Sequence, residues 1–421
     1  MKQITLSAIG CGNRTRIYMT NAAKMPEKYK IVAAADPVSA RINYVKKISN
    51  NPDFKSFSSD KDFFAEEKLS DVVIIGTQDE FHYKPCKEAL QKGYNVLLEK
   101  PIAPHVEEIL ELQHLAEKLG RKLQVCYVLR YTPFYRQVKE IINSGAIGDV
   151  ISINANEGVI PWHQAHSFVR GNWNIASKSS PMIVAKCCHD TDVIGWLIEK
   201  QCKSVSSYGN LTHFKKENAP EGATKRCTDG CPHLDTCFYN ALKYTDEHRT
   251  PWLAQVFDRA EEATAQEIIE WLKVTDFGRC VYYSDNDVVD HQVVSMEFEG
   301  NITANLTMTA FEIGRQIEIF GTKGILKGGH FLKQVSGYDI IVTSHKDDNK
   351  TEEHYVIDIS EDDHHMGGDE GIMKALHEEM SGVKDIPVSS YIQSHIMAYA
   401  AEESRLTGKM IDLETFKKKF I

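Results

Sequence analysis

The sequence contains no apolar run approaching the roughly 20 residues of a membrane-spanning helix. It has no Lys/Arg cluster long enough to grip a phosphate backbone, and its formal net charge of -10 points away from nucleic acid, which needs a basic face. Internal repeats and low-complexity tracts are missing, and small charge clusters such as "HKDDNKTEEH" read as solvated loops. Signal-peptide anatomy is missing too, because "MKQITLSAIG" goes directly into a strand. These absences predict a soluble, cytoplasmic, globular protein with neither nucleic acid nor membrane as partner. The ten cysteines do not imply disulfides: a chain of 421 residues needs no staples, and Cys11, Cys86, Cys126, Cys187 and Cys202 sit among apolar or packed neighbours.

What is present is a change of periodicity along the chain. Through residue 130, short and almost wholly apolar segments ("QITLSAIG", "YKIVAAAD", "LSDVVIIGT", "NVLLEK", "KLQVCYV") alternate with amphipathic ones. That is what a parallel sheet covered on both faces requires, so residues 1–130 read as a doubly wound Rossmann nucleotide-binding domain. After "SGAIGDVISINAN" the alternation becomes period two ("VVSMEFEGNITANLTMTA", "RQIEIFGTKGILKG", "EHYVIDI"), with helices at about 188–199 and 390–407. Residues 131–421 therefore read as an α+β domain with a large, mostly antiparallel open sheet for substrate and oligomerisation. Within it, about 214–285 is a polar, cysteine-bearing insertion. A large, partly apolar sheet predicts a homo-oligomer, a dimer or tetramer.

"IGCGNRTRIY" carries the first chemical signal. Gly10 ends the first strand, Gly12 precedes a helix, and Asp36 closes the second strand one supersecondary unit later. Gly10 permits the tight turn, and Gly12 lets a pyrophosphate approach the helix N-terminus. Asp36 is placed for ribose hydroxyls and repels a 2′-phosphate, which favours NAD over NADP. Thr15 stands where the third glycine of the pattern would pack helix on strand. The expected cofactor-binding set is Ile9, Gly10, Gly12, Asn13, Arg14, Asp36, Thr77, His82, Glu99 and Lys100, with Arg14 near phosphate. Lys100, at the C-terminal end of "VLLEKPIAP", is placed to reach both nicotinamide and a substrate hydroxyl; the alternative is a surface Lys-Glu pair, with Pro101 fixing the backbone.

The stretches "GCGNR", "AAADP", "FHYKPCKEALQKGYNVLLEKP" and "YVLRYTPFYRQVKEIINSGAIGDV" resemble, in that order, the Gfo/Idh/MocA family of glucose-fructose oxidoreductase and inositol dehydrogenase relatives. The resemblance implies a nicotinamide-dependent enzyme acting on sugars, polyols or similar compounds, with Lys100 catalytic. In relatives a helix carries an aspartate, a histidine four residues later and an aspartate three further on. Here "PMIVAKCCHDTDVIGWLI" matches at His189 and Asp192 but has Ala185 at the first position, with Lys186 beside it. His189 and Lys186, three apart, are expected on one helical face, aimed at one substrate oxygen as base and oxyanion partner; a core histidine and a capping lysine are the alternative. Substrate contacts are expected from Arg130, Tyr131, Trp162, His163, His166, Arg170, Asp190, His365 and Asp369, with His364 on the same rim.

Cys227, Cys231 and Cys237, spaced C-x3-C-x5-C, together with Cys280, suggest a tetrahedral thiolate site. A polar insertion with little core of its own would gain stability from structural zinc there. His233 is an alternative ligand, and free loop thiols are the other reading. Three functions are compatible with these residues: an NAD-dependent oxidoreductase acting on a hydroxyl of a sugar, glycoside or polyol; a redox-neutral NAD-dependent glycosidase working through a transient 3-keto sugar; and a non-catalytic NAD-binding regulator.

Overall fold

The computed structural model describes residues 3–257, 259–260, 262–345, 351–358 and 364–421, without the side chain of His364. Its first sheet has six strands: β1 (Ile4–Ile9), β2 (Tyr29–Ala35), β3 (Lys55–Phe57), β4 (Val72–Ile75), β5 (Asn95–Leu98) and β6 (Leu123–Val125). All pairs are parallel, in the order β3-β2-β1-β4-β5-β6. "VVII" in β4 is buried at every position and "NVLL" in β5 at its last three, because helices cover both faces of the sheet. Strands run to one side from β1 and to the other from β4, so the crevice where such sheets bind ligands opens at the carboxyl ends of these two neighbours. Two short elements fall outside the sequence reading: β3 and the helix Asp60–Ala65, the first too brief for periodicity to register.

The second sheet has nine strands: β7 (Val150–Val159), β8 (Cys202–Asn210), β9 (His291–Phe298), β10 (Thr303–Thr309), β11 (Ile313–Gly321), β12 (Gly324–Gly329), β13 (Ile340–Ser344), β14 (Thr351–Tyr355) and β15 (Ile411–Asp412). Their order is β14-β13-β12-β11-β7-β10-β9-β8-β15. Pairing is antiparallel except between β7 and β10. Strict alternation of burial along β9 and β10 shows one face buried and one turned outward. The helices Cys188–Ile198 and Val388–Thr407 pack against each other, and the second also packs on β8.

Residues 214–285 connect β8 to β9 through short turns and the helices Thr250–Leu253 and Ala265–Val274. The latter opens with a capping box, in which the Thr264 hydroxyl and Glu267 carboxylate satisfy each other's backbone N–H. Trp162, Tyr244, Leu253, Ile268 and Leu272 form an apolar cluster that seats this segment on residues 162–170. No described helix is long and apolar enough to cross a membrane.

Candidate active site

At the end of β1, Gly10 adopts φ +78°, and a Cβ there would lie 2.8 Å from the main-chain Gly76 O and Thr77 N. Only glycine is accommodated. At Gly12 a Cβ would meet nothing closer than Gly76 O at 4.0 Å, so the space over this residue is open. Gly12 is the N-cap of helix α1 (Asn13–Ala23) and supplies no side-chain cap, which leaves the first amides of α1 available to an anion. Ile9 delivers the turn and exposed Asn13 opens the helix. Buried Thr15 packs against Gly76: a Cβ on Gly76 would lie 2.1 Å from Thr15 Oγ1. The close approach that a third glycine would give is supplied from β4 instead. Next to it, the Thr77 hydroxyl is buried without a hydrogen-bond partner. Asp36 accepts from the Cys11 and Val38 amides at 2.7 and 2.8 Å, which fixes its carboxylate at the end of β2. Open space, unpaired amides and an orphaned hydroxyl around one turn fit a dinucleotide.

Lys100 follows β5, and its peptide with Pro101 is cis. Its Nζ donates to Ala185 O at 3.0 Å, so this lysine reaches the segment just before Lys186 and His189. That segment is not one helix. Met182–Ala185 forms a short turn of helix, Lys186 and Cys187 break it, and Cys188–Ile198 resumes. The expectation that Lys186 and His189 share a continuous helical face is therefore corrected. They still approach: burial holds the His189 imidazole well below the ordinary histidine range, and Lys100, Arg315, Lys186 and His365 reinforce the shift. His189 is consequently neutral, with Nδ1 buried and unpartnered. His163 faces the same cations; burial, followed by Lys186, lowers its pKa well below the usual value.

Beneath these groups is an ion-pair network that the sequence reading missed. Glu157 on β7 contacts Lys186 Nζ at 3.0 Å and Arg315 Nε at 2.9 Å. Arg315 on β11 stands directly opposite Glu157 and donates to Asp190 at 2.7 Å. Burial raises the Asp190 pKa to about 6, against the opposing pull of Arg315. The available signal was a charged residue on the inward face of otherwise apolar strands.

Several expected ligand contacts are already committed elsewhere. Arg14 donates to Asp369 (2.5 and 3.1 Å), Tyr18 and Glu99, and lies against His365 Nδ1; its guanidinium ties α1 to the helix Gly368–Met380 and is not turned to a phosphate. Asp369 is held by this pair and by His365, which pushes its carboxyl down to about 2 despite burial. Glu99 also accepts from Tyr18 and the Lys100 amide. His82 spans the Pro101 and Thr77 carbonyls as a brace, with ring nitrogens 2.6 and 3.1 Å away. Arg130 makes a buried two-pronged pair with Asp192 at 2.5 and 2.6 Å, and the Tyr131 hydroxyl meets Gln124 and Tyr391 in the core.

Trp162 is fully buried against Tyr244 and Arg249. His166 Nδ1 pairs with the Tyr244 hydroxyl at 2.5 Å, and Arg170 donates to the Arg279 and Tyr239 carbonyls at 2.7 Å. These contacts tie residues 162–170 to the insertion, while Trp162 Nε1 and Arg170 Nη1 stay buried without a hydrogen-bond partner.

The zinc expectation finds no support. Among the described residues no group of three or more His, Cys, Asp or Glu is arranged to hold a metal, and Cys227, Cys231, Cys237 and Cys280 are free thiols. Cys227 Sγ accepts from the Ala241 amide at 3.4 Å and lies 3.9 Å from the Arg170 guanidinium. His233 Nε2 faces Glu221 O. The insertion has the apolar core that the metal was expected to replace.

A Rossmann sheet with an anion-ready turn, and a neutral buried histidine facing two lysines beside its crevice, define the class: a nicotinamide-dependent oxidoreductase. The chain belongs to the GFO_IDH_MocA oxidoreductase family. Residues 4–127 match its NAD-binding Rossmann fold and residues 139–390 its C-terminal alpha/beta domain. It is 25% identical over 336 residues to the oxidoreductase YteT of Bacillus subtilis, covering 76% of each chain. It is 26% identical over 205 residues to inositol 2-dehydrogenase of Corynebacterium glutamicum, covering 48% of this chain and 57% of that relative. Among solved structures, scyllo-inositol dehydrogenase from Lactobacillus casei, with NAD(H) and scyllo-inositol, superposes with TM-score 0.65 at 20% identity, covering 98% of this chain and 100% of that one. An oxidoreductase from Agrobacterium radiobacter, with NAD+, L-tartaric acid and magnesium, gives TM-score 0.69 at 13% identity, covering 99% and 100%.

Proposed function

We propose that the protein oxidises a secondary hydroxyl of a sugar, glycoside or polyol, with His189 as the base and Lys100 as the group that holds the reacting oxygen. NAD, seated on the Gly10–Gly12 turn with Asp36 at its adenosine ribose, supplies the hydride acceptor. The observation that carries the reading is the state of His189: buried, neutral and with Nδ1 unpartnered beside Lys100. A neutral imidazole accepts a hydroxyl proton, and nearby cations stabilise the alkoxide that develops. One of the three Lys100 ammonium donors is fixed on Ala185 O, which aims the other two at substrate. Where relatives carry an aspartate, this chain offers a main-chain oxygen and sets Lys186, neutralised by Glu157, beside the histidine. Burial, followed by Lys100 and Arg315 and only then Lys186, keeps His189 deprotonated. The inositol dehydrogenases among the relatives support a cyclic polyol or pyranose as substrate class. Assembly of two or four copies through the outward face of the second sheet belongs to the same reading, supported by exposed Ile151, Tyr208 and Val293.

The test mixes purified protein and NAD with inositols, pyranoses and their glycosides and follows the nicotinamide absorbance. Net NADH formation, lost in Lys100→Met and His189→Ala while NAD is still recovered from both variants, supports the proposal. Variants that behave like the parent overturn the residue assignment. Aglycone release without absorbance change identifies the redox-neutral glycosidase.

A further inference from the structure

Lys100 follows β5 of the first sheet, whereas His189 lies at the start of the helix Cys188–Ile198 in the second domain. Their separation is therefore set by whatever grips both backbones. One turn of the helix Val388–Thr407 does so. Ser394 holds the histidine's helix: its carbonyl accepts from the Thr191 hydroxyl at 3.0 Å, and its own hydroxyl donates to Asp192 at 2.9 Å. His395, the next residue, holds the lysine's loop, its Nε2 accepting the Ile102 amide at 3.0 Å. Tyr399, one turn further along the same face, donates its hydroxyl to Ala103 O at 2.9 Å. Ile102 and Ala103 come directly after the Lys100–Pro101 pair, and His82 completes the grip at the Pro101 carbonyl.

The state of His395 makes this grip directional. The ring is fully buried, and burial lowers its pKa to about 3, so it stays neutral. A neutral imidazole carries one ring proton. With Nε2 accepting from Ile102, that proton is on Nδ1 and is donated to the Tyr127 hydroxyl oxygen. Tyr127 stacks on Tyr391 at 6.3 Å, with 27° between planes, and meets the His189 ring edge-on at 6.0 Å. Contacts thus run without a break from the Ile102 amide through His395 and Tyr127 to the catalytic imidazole. Ile102, His395 and Tyr127 are all fully buried, which leaves them no face for a substrate.

We infer that His395 is a positioning residue for the proposed reaction: it holds the Lys100 loop against the helix of His189 and so sets the spacing at which lysine and imidazole meet one substrate oxygen. The inference rests on the proposed function for what those two groups do. His395→Leu removes the grip, Tyr127→Phe removes the acceptor for Nδ1–H, and His395→Gln keeps an acceptor for the Ile102 amide. Each variant is assayed with NAD and myo-inositol, scyllo-inositol, glucose, galactose or their methyl glycosides. Amide hydrogen exchange at residues 99–105 of the NAD-loaded protein is followed by mass spectrometry. In His395→Leu, kcat is expected to fall by up to about 10²-fold, the scale of a misplacement of about 1 Å, with KM and NAD affinity at the parent values and exchange faster at 99–105. Tyr127→Phe, which spares the Ile102 bond, should lose less, and His395→Gln should recover most of both kcat and protection. A parent-like kcat in His395→Leu, equal losses in Leu and Gln, or a joint collapse of kcat, KM and NAD affinity overturns the positioning role. Should His395→Leu not fold, Tyr127→Phe decides, and an unchanged kcat there overturns the assignment. If the parent oxidises none of these compounds, the oxidoreductase reading fails and exchange alone judges the clamp: protection lost in Leu and kept in Gln retains it, and protection unchanged in Leu removes it.

Discussion

His189 and His166 are both buried and both pushed below the usual histidine range, yet they belong to different kinds of region. His189, next to the Rossmann crevice, keeps Nδ1 free and faces cations from several elements. His166, under the insertion, gives Nδ1 to Tyr244 and is surrounded by Trp252 and Phe277; burial, then Arg170, lowers it to about 4. Depressed basicity is common to both, so it does not mark function. Unfilled hydrogen-bonding capacity beside a crevice does.

Exchanging the two histidines' fates is the largest test of this distinction. His189→Ala should lower kcat by about 10²- to 10⁴-fold, the usual range for losing a general base, with little change in melting temperature. His166→Ala should leave kcat within a few-fold and cost about 2 kcal/mol of stability, because the Tyr244 hydroxyl loses its partner in a packed site. Steady-state kinetics and thermal unfolding on the same preparations decide. A comparable loss of kcat in both variants would erase the contrast.

Arg130 extends the contrast to a residue expected at the substrate. Its pair with Asp192 is almost fully buried, Ser394 donates to the same carboxylate, and the guanidinium lies over the Tyr391 ring. Arg130→Met strands the Asp192 charge and should cost about 3 kcal/mol. KM for the sugar should stay near the parent value at temperatures where the variant is folded. A selective rise in KM, with stability unchanged, would move Arg130 back to the substrate.

These outcomes follow a boundary in what the sequence discloses. The glycine turn, Asp36, Lys100 and His189 were legible because their chemistry is local: a strand, a turn and a helix in register state which backbone is exposed and which side chain closes a strand. Arg130, His166 and Arg170 were not. Arg130 meets Asp192 across 62 positions, His166 meets Tyr244 across 78, and Arg170 meets the Arg279 carbonyl across 109. An arginine that binds a ligand and one that clamps two segments have the same local pattern; only the fold supplies the partner. The premise of the zinc expectation, an insertion without a core, was misjudged for a related reason, since Trp162, which comes before the insertion in sequence, completes the insertion's core.

The histidines also set a pH response. The unfolded chain takes up protons near pH 6.5, whereas His166 waits until about 4 and His395 until about 3, each held down first by burial; His163 and His189 shift the same way. Their contribution to stability is therefore complete above the ordinary histidine pKa and is lost as pH falls from there. Asp190 and Glu379, raised by burial to about 6 and about 7, act in the opposite sense, losing their contribution as pH rises through those values. Burial lowers a fifth histidine, His365, and raises two further carboxyls, Glu108 and Asp192; five histidines against four carboxyls should give a falling melting temperature between pH 6.5 and 4.5. His166→Gln should flatten the slope by about 2 kcal/mol across that interval. A parent whose melting temperature rises on acidification would reverse the assignment of the dominant groups.

The smallest expected effect probes the cofactor turn itself. Gly76→Ala alone brings a methyl against the Thr15 hydroxyl at the floor of the crevice, and overpacking of this kind costs about 1 to 3 kcal/mol. Thr15→Gly alone relieves nothing and loosens α1. Combined, they move the small residue from β4 back to the helix, where the usual dinucleotide pattern has it, so the double variant should recover about 1 kcal/mol relative to the sum of the singles. NAD affinity, measured by titration, should recover with it. If the two changes add without coupling, the helix and strand do not meet through Thr15 and Gly76, and some other contact sets the distance at which α1 presents its amides.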